Sequence, residues 1–134
     1  MVNFAHKITC VAALAAMLTA CQADKPAGQE PFKPEYLGVK TRLLDGDLVN
    51  FFVAMRGARN NDDVVQYTRC AAAQYALIRG YGFARHLRTQ VDKRAGVWHA
   101  DAVFIISAAL PRGVETIDAE VTVASCVENH IPRI

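Results

Sequence analysis

The sequence predicts an α+β fold: a small antiparallel sheet with one main helix packed on one face, in the order ββαβββ. Three observations point there. Apolar runs of strand length lie on both sides of residues 60–80. That segment itself has helical periodicity with a start and a stop signal. Gly-containing turns join neighbouring runs, as antiparallel hairpins require.

Residues 37–44 (LGVKTRLL) and 48–56 (LVNFFVAMR) flank Asp45-Gly46-Asp47 and read as the first hairpin. In the second run Leu48, Asn50, Phe52 and Ala54 share one face, and Val49, Phe51, Val53 and Met55 the other. Both faces are rather apolar, so the run is either a central strand or partly helical. The helix is predicted over 60–80. Asn60 or Asn61 is a suitable N-cap, Asp62 and Asp63 suit the positive end of the macrodipole, and Arg79 and Gly80 form a stop. Val64, Tyr67, Ala71, Tyr75 and Ile78 recur at helical spacing, and the run Ala71-Ala72-Ala73 would let the helix lie close on a sheet. Tyr75 reads as a core or rim aromatic.

Three strands are expected to follow. Phe83, Leu87 and Val91 alternate with polar residues before a turn at 92–96. Residues 97–110 are long and apolar, with Trp98, Ala102, Phe104, Ile106 and Leu110 on one face and Val103 and Ile105 on the other; Pro111-Arg112-Gly113 ends the run. Ile117, Ala119, Val121 and Val123 alternate with Asp118, Glu120 and Thr122, the pattern of a half-exposed strand.

The chain has 134 residues, enough for one ordinary domain, and is 52% hydrophobic and 21% charged, which suits a globular protein. Fifteen basic against 13 acidic residues give a net charge of +2, short of the basic excess that nucleic-acid binding usually needs. The start of the chain has a different character. Lys7 precedes an apolar run over 8–20, which is shorter than the roughly 20 residues of a spanning helix and reads as a secretory signal peptide. Leu18-Thr19-Ala20-Cys21 resembles the lipobox of bacterial lipoproteins. That resemblance implies cleavage between Ala20 and Cys21, lipidation of the Cys21 thiol, and acylation of the new amine. Two or three chains would hold the protein firmly at a membrane without a transmembrane helix. Gln22 in place of Asp after the lipidated Cys implies, by the same resemblance, the outer membrane facing the periplasm more than the inner membrane.

The chain therefore divides into a signal peptide over 1–20, the lipidated Cys and a flexible linker over 21–36, and a small α+β domain over 37–134. Pro26, Pro31 and Pro34 with Gly28 disfavour helix and sheet in the linker. At roughly 3 Å per residue it would hold the domain up to about 40 Å from its anchor. Cys10 would leave with the signal peptide. Cys70 and Cys126 remain, and in an oxidising compartment two such thiols are expected to pair. The strand parity puts Cys126 on the presumed solvent face, so a bulge near Ser125 or the end of the strand would be needed to turn it inward. Two unpaired buried thiols are the alternative. There is no Cys-x-x-Cys, and a metal pair with His130 has poor spacing.

No catalytic constellation is legible. His86, His99 and His130 lack metal-ligand spacing, although His86 and His99 share a possible hairpin and could face each other across strands. Asp62 and Asp63 are explained by capping. The segment Arg79-Gly80-Tyr81-Gly82-Phe83 follows a helix instead of opening one, so it is no phosphate loop, and no Gly-x-Ser-x-Gly elbow occurs. No metal or cofactor is expected. The one local charge asymmetry is the basic cluster Arg85, His86, Arg88, Lys93 and Arg94, a candidate contact for anionic headgroups, cell-wall acids or an acidic partner, or else a solvated hairpin face.

The stretch Tyr67-Thr68-Arg69-Cys70-Ala71-Ala72, the segment 79–85 and Ile117-Asp118-Ala119-Glu120-Val121 with Cys126 resemble small uncharacterised lipoproteins of alphaproteobacteria. The resemblance implies an envelope location and a two-cysteine domain, with no assigned activity. The expected role is a non-enzymatic accessory or interaction subunit of the cell envelope, touching a protein partner through a sheet surface or the basic hairpin. The alternative is a periplasmic binding module for a small ligand or cell-wall fragment. An exposed apolar face around Val103 and Ile105 would favour the first, a concave pocket with converging polar groups the second, and convergent titratable groups with shifted pKa values an enzyme.

Overall fold

A computed structural model describes Gly28 and residues 31–134. The signal peptide, the cleavage site at Ala20 and Cys21, the lipidation site Cys21 and most of the linker lie outside the described residues. From Pro31 onward the elements are β1 (Glu35–Leu43), β2 (Leu48–Arg56), α1 (Asn61–Ile78), β3 (Phe83–Arg94), β4 (Val97–Ser107), β5 (Thr116–Asp118) and α2 (Ala119–Glu128). The strands form one antiparallel sheet in the order β1-β2-β4-β3-β5. The α+β class holds, with a second helix added at the end.

The pleat decides which side chains are buried. In β2, Val49, Phe51, Val53 and Met55 point to the helical side and are buried. Opposite them on β4 stand Phe104, Ala102, Ala100 and Trp98. The ambiguity of β2 thus resolves to a central strand. The alanine run of α1 does what small side chains allow: Ala71, Ala72, Ala73 and Ala76 are fully buried, and Phe51 meets Tyr75 and Phe104 edge-on at 5.6 and 5.8 Å. Helix α1 starts where its cap dictates, the Asn60 side chain accepting from the Asp62 amide at 2.9 Å. Tyr75 is half-buried against this core.

Several expectations need correction. The run 97–110 ends as a strand at Ser107, so Leu110 lies beyond it and is 67% exposed instead of inward. Residues 119–123 continue no strand: β5 ends at Asp118, and α2 begins at once. The carboxylate of Asp118 accepts from the Val121 amide at 3.1 Å and caps the helix. Ala119, Thr122, Val123 and Cys126 then share the inward stripe, a spacing of three and four, while Val121 is 67% exposed. Another correction concerns β3. A bulge between His86 and Arg88 shifts the register by one residue, so Phe83, Leu87 and Val91 do not form a single stripe. Leu87 is exposed in the bulge, and Val91 reaches the core. The β3–β4 turn is also tighter than expected, only Ala95 and Gly96 with φ of 50° and 77°.

Cys70 and Cys126 are joined as a disulfide. No bulge near Ser125 is involved, because the helical stripe of α2 itself turns Cys126 toward mid-α1. No helix among the described residues is long and apolar enough to cross a membrane.

Candidate functional site

Helices cover one face of the sheet. Among the described residues, no helix or strand covers the other, although the segment after β4 reaches it where Gly113 packs beside the Arg85 side chain. The register puts on that open face Glu35, Gly38, Lys40 and Arg42 of β1, and Leu48, Asn50, Phe52, Ala54 and Arg56 of β2. From β4 come Val97, His99, Asp101, Val103 and Ile105, and from β3 Arg85, Arg88, Gln90, Asp92 and Arg94. Six cations and three acids share this face, an excess of three, while the whole chain carries +2. The charge is therefore segregated, which the bulk balance conceals.

The cations stand on the two flanks. Lys40 and Arg42 line the β1 side, and Arg85, Arg88 and Arg94 the β3 side. Between them the floor is apolar: Leu48, Phe52, Ala54, Val103 and Ile105. A polar ridge crosses it at mid-height. The buried Asn50 amide donates to Asp101 Oδ1 at 2.6 Å and to the Ala102 carbonyl at 3.0 Å, and its oxygen accepts from Arg42 at 3.4 Å. Arg88 reaches the same Asp101 carboxylate at 3.5 Å. Both donors of a buried amide are thus satisfied.

The middle of this face is recessed. Val103 is only 7% exposed and Asn50 2%, although no helix lies over either. Arg42 sits over the Phe52 ring at 5.4 Å. Arginine stems cover apolar surface while their heads remain in water. Two of the cations are tied to face acids, Arg56 to Glu35 at 3.7 Å and Arg94 to Asp92 at 2.9 Å. Among the described residues, Lys40, Arg42 and Arg85 have no carboxylate at salt-bridge distance. On the far side of the ridge a depression of about 370 Å³ is lined by Phe52, Gln90, Asp92, Arg94, His99 and Asp101.

The predicted basic cluster divides between the two faces. Arg85, Arg88 and Arg94 belong to the open face, as the strand parity requires once the bulge is counted. Lys93 points to the helical side, with its ammonium 4.9 Å over the Trp98 ring. His86 also lies on the helical side, hydrogen-bonded to Thr89 at 2.7 Å and edge-on to Phe104. His99 lies on the open face opposite Asp92, so the two histidines do not face each other. Sequence reasoning missed Lys40, Arg42 and the Asn50–Asp101 pair. The hairpin turn at 45–47 held the signal, since it sets Arg42 opposite Asn50.

A second concavity of about 430 Å³ lies among α1, α2 and the segment leading into β1, where Tyr36, Arg59, Asp63, Gln66, Thr122 and Asn129 meet the disulfide. Asp63 accepts from Arg59 at 2.6 and 3.0 Å through the guanidinium and at 2.7 Å through the backbone amide. The hydrogen-bonded Arg59 guanidinium holds the Asp63 carboxyl below the usual carboxylate range. Burial pushes the Tyr36 hydroxyl up, and the nearby Asp63 charge adds to it. Among the described residues, no group of three His, Cys, Asp or Glu side chains is arranged to hold a metal ion.

The fold and this face define a two-layer α+β domain, helices on one side of its sheet and a cation-flanked apolar trough on the other. The chain belongs to the family described as the YNQ4 C-terminal domain, whose model matches residues 36–130. It is also similar to an uncharacterised 26.9 kDa protein of Paracoccus denitrificans named for the nqo8 5' region, 28% identical over 128 residues, covering 91% of this chain and 50% of that protein. The chain thus spans about half the length of that curated relative. No solved structure matches.

Proposed function

We propose that the protein is a lipid-anchored lipoprotein of the cell envelope, facing the periplasm, more at the outer than the inner membrane, and that it is a non-enzymatic accessory subunit. The observation that carries the interaction role is the open sheet face. A two-layer domain usually buries the inner face of its sheet and solvates the outer one with scattered polar side chains. Here the outer face combines an apolar floor, crossed by one polar ridge, with a cationic border on both flanks, which is the composition of a contact surface. The anchor half of the proposal rests on Leu18-Thr19-Ala20-Cys21 and on the Cys70–Cys126 bond, which suits an oxidising compartment.

A second reading, a binding module for a small ligand or cell-wall fragment, is favoured by the cleft beside the disulfide, where the Gln66, Thr122 and Tyr36 side chains converge on a concave space. Chemical cross-linking in intact cells separates the two readings. An accessory subunit yields one near-stoichiometric protein adduct that Ile105→Asp on the open face removes. A ligand-binding module yields no such adduct. Cys21→Ser is expected to release the protein from membranes, and retention would refute the anchor.

A further inference from the structure

The trough has dimensions as well as a charge pattern. Its two cationic flanks, β1 and β3, are separated by β2 and β4, which means three inter-strand steps of about 4.8 Å, or roughly 14 Å. An α-helix with its side chains is about 10–12 Å across and seats on a sheet at about 10 Å. An extended segment fills only one inter-strand step and would leave both flanks out of reach. The floor runs in β2 from Leu48 to Ala54, about 23 Å, which matches a helix of about 15 residues.

We infer that the open face receives one amphipathic helix of a partner protein, its apolar stripe on Leu48, Phe52, Val103 and Ile105 and acidic residues along both flanks facing Lys40 and Arg42 on one side and Arg85 and Arg88 on the other. This deepens the contact role proposed above and rests on it. The helix would become the third layer over a sheet whose other side is already covered by α1, and it would bury the floor while giving Lys40, Arg42 and Arg85 their carboxylates. A second copy of this chain does not fit, because two faces with the same cationic excess would meet. A bilayer surface does not fit either. A flat plane would not reach Val103, which is only 7% exposed.

The test is fluorescence anisotropy of the full chain in detergent with two labelled 20-residue helix-forming probes. Each carries the same leucine stripe, flanked by glutamates in one and by lysines in the other. The glutamate probe is expected to bind roughly tenfold or more tightly at low salt, because several ion pairs gained with it are replaced by repulsions with the lysine probe. Arg42→Glu with Arg88→Glu should invert that preference. Ile105→Asp should abolish binding of both probes while circular dichroism shows the fold retained. Equal binding of the two probes, or a preference unmoved by the double charge reversal, overturns the inference. So does binding to anionic phosphatidylglycerol vesicles that is stronger than to the glutamate probe and insensitive to Ile105→Asp, or concentration-dependent dimerisation that excludes the probe. Anisotropy in detergent is independent of anchoring, so a failed membrane-release test with Cys21→Ser would leave this result standing, and the reverse also holds.

Discussion

Removing the Cys70–Cys126 bond should destabilise this domain by an amount that follows from the sequence separation of its ends. The bond ties residues 56 apart, enclosing β3, β4, β5 and most of α2. In the chain-entropy model a cross-link of that length removes about 14 cal/mol/K from the unfolded ensemble, or about 4 kcal/mol near room temperature. A domain of about 100 residues unfolds with an entropy of about 0.2 kcal/mol/K, so the loss translates into a fall in Tm of about 20 °C. Both half-cystines are buried, at 1% and 3% exposure, yet a Cys→Ala change removes only one sulfur atom from each site. The packing loss is therefore minor beside the entropic one. The assay is thermal unfolding of the oxidised protein against Cys70→Ala/Cys126→Ala, followed by circular dichroism. A fall below about 5 °C would refute the reasoning, since the loop would then not constrain the unfolded chain. A two-step melt in the variant, with helical signal lost first, would refute the single cooperative unit and show that the bond merely pins α2.

Three further outcomes are expected. Gly57 holds φ of +71°, and a Cβ there would stand 2.5 Å from the Lys33 carbonyl oxygen, so Gly57→Ala should cost about 2–3 kcal/mol; Gly46→Ala, at φ of +60° in open space, should cost only about 1 kcal/mol, both read from urea midpoints. Asp63 has its carboxyl held below the ordinary range in the folded state, so its stabilisation is present above the unfolded carboxylate pKa and is lost as pH falls through the folded value; Asp63→Asn should flatten the acid limb of stability below about pH 4 in a denaturant–pH titration. Asn50→Ala should cost about 1–3 kcal/mol, because the Ala102 carbonyl and Asp101 lose a buried donor, and equilibrium unfolding would contradict this if the change were silent.

How much of this was legible depended on whether local pattern or register held the information. Helix α1 was readable because its cap, its acidic first turn and its alanine run all agree. The β4 faces were readable from strict alternation as far as Ser107, and Val103 and Ile105 do lie on the open side, but Leu110 falls beyond the strand and is exposed. The stretch 117–123 misled because Ala119, Thr122, Val123 and Cys126 satisfy a helical stripe while Ile117, Ala119, Val121 and Val123 satisfy a strand alternation; the Asp118 cap decides between them. The basic cluster was legible only in part. Lys93 and Arg94 are adjacent and so must lie on opposite faces, and the bulge at Leu87 is what brings Arg85 and Arg88 to the same one. The β1 contribution, Lys40 and Arg42, is distant in sequence from β3 and is joined to it only through the order β1-β2-β4-β3.

The same side chains answer two opposing demands on the open face. An uncovered sheet with Leu48 and Phe52 on β2 beside Ile105 and Val103 on β4 would favour association with any other apolar surface. The Arg42 guanidinium lies over the Phe52 ring, and the ridge from Arg42 through Asn50 and Asp101 to Arg88 holds both cations beside the floor. A partner must therefore lift cations off the floor before it can gain apolar contact. Only a partner that offers carboxylates to the displaced heads recovers what those heads lose. This makes the face selective for acidic surfaces by the cost of displacing its own cover, and it predicts binding that weakens with salt even though most of the area buried would be apolar.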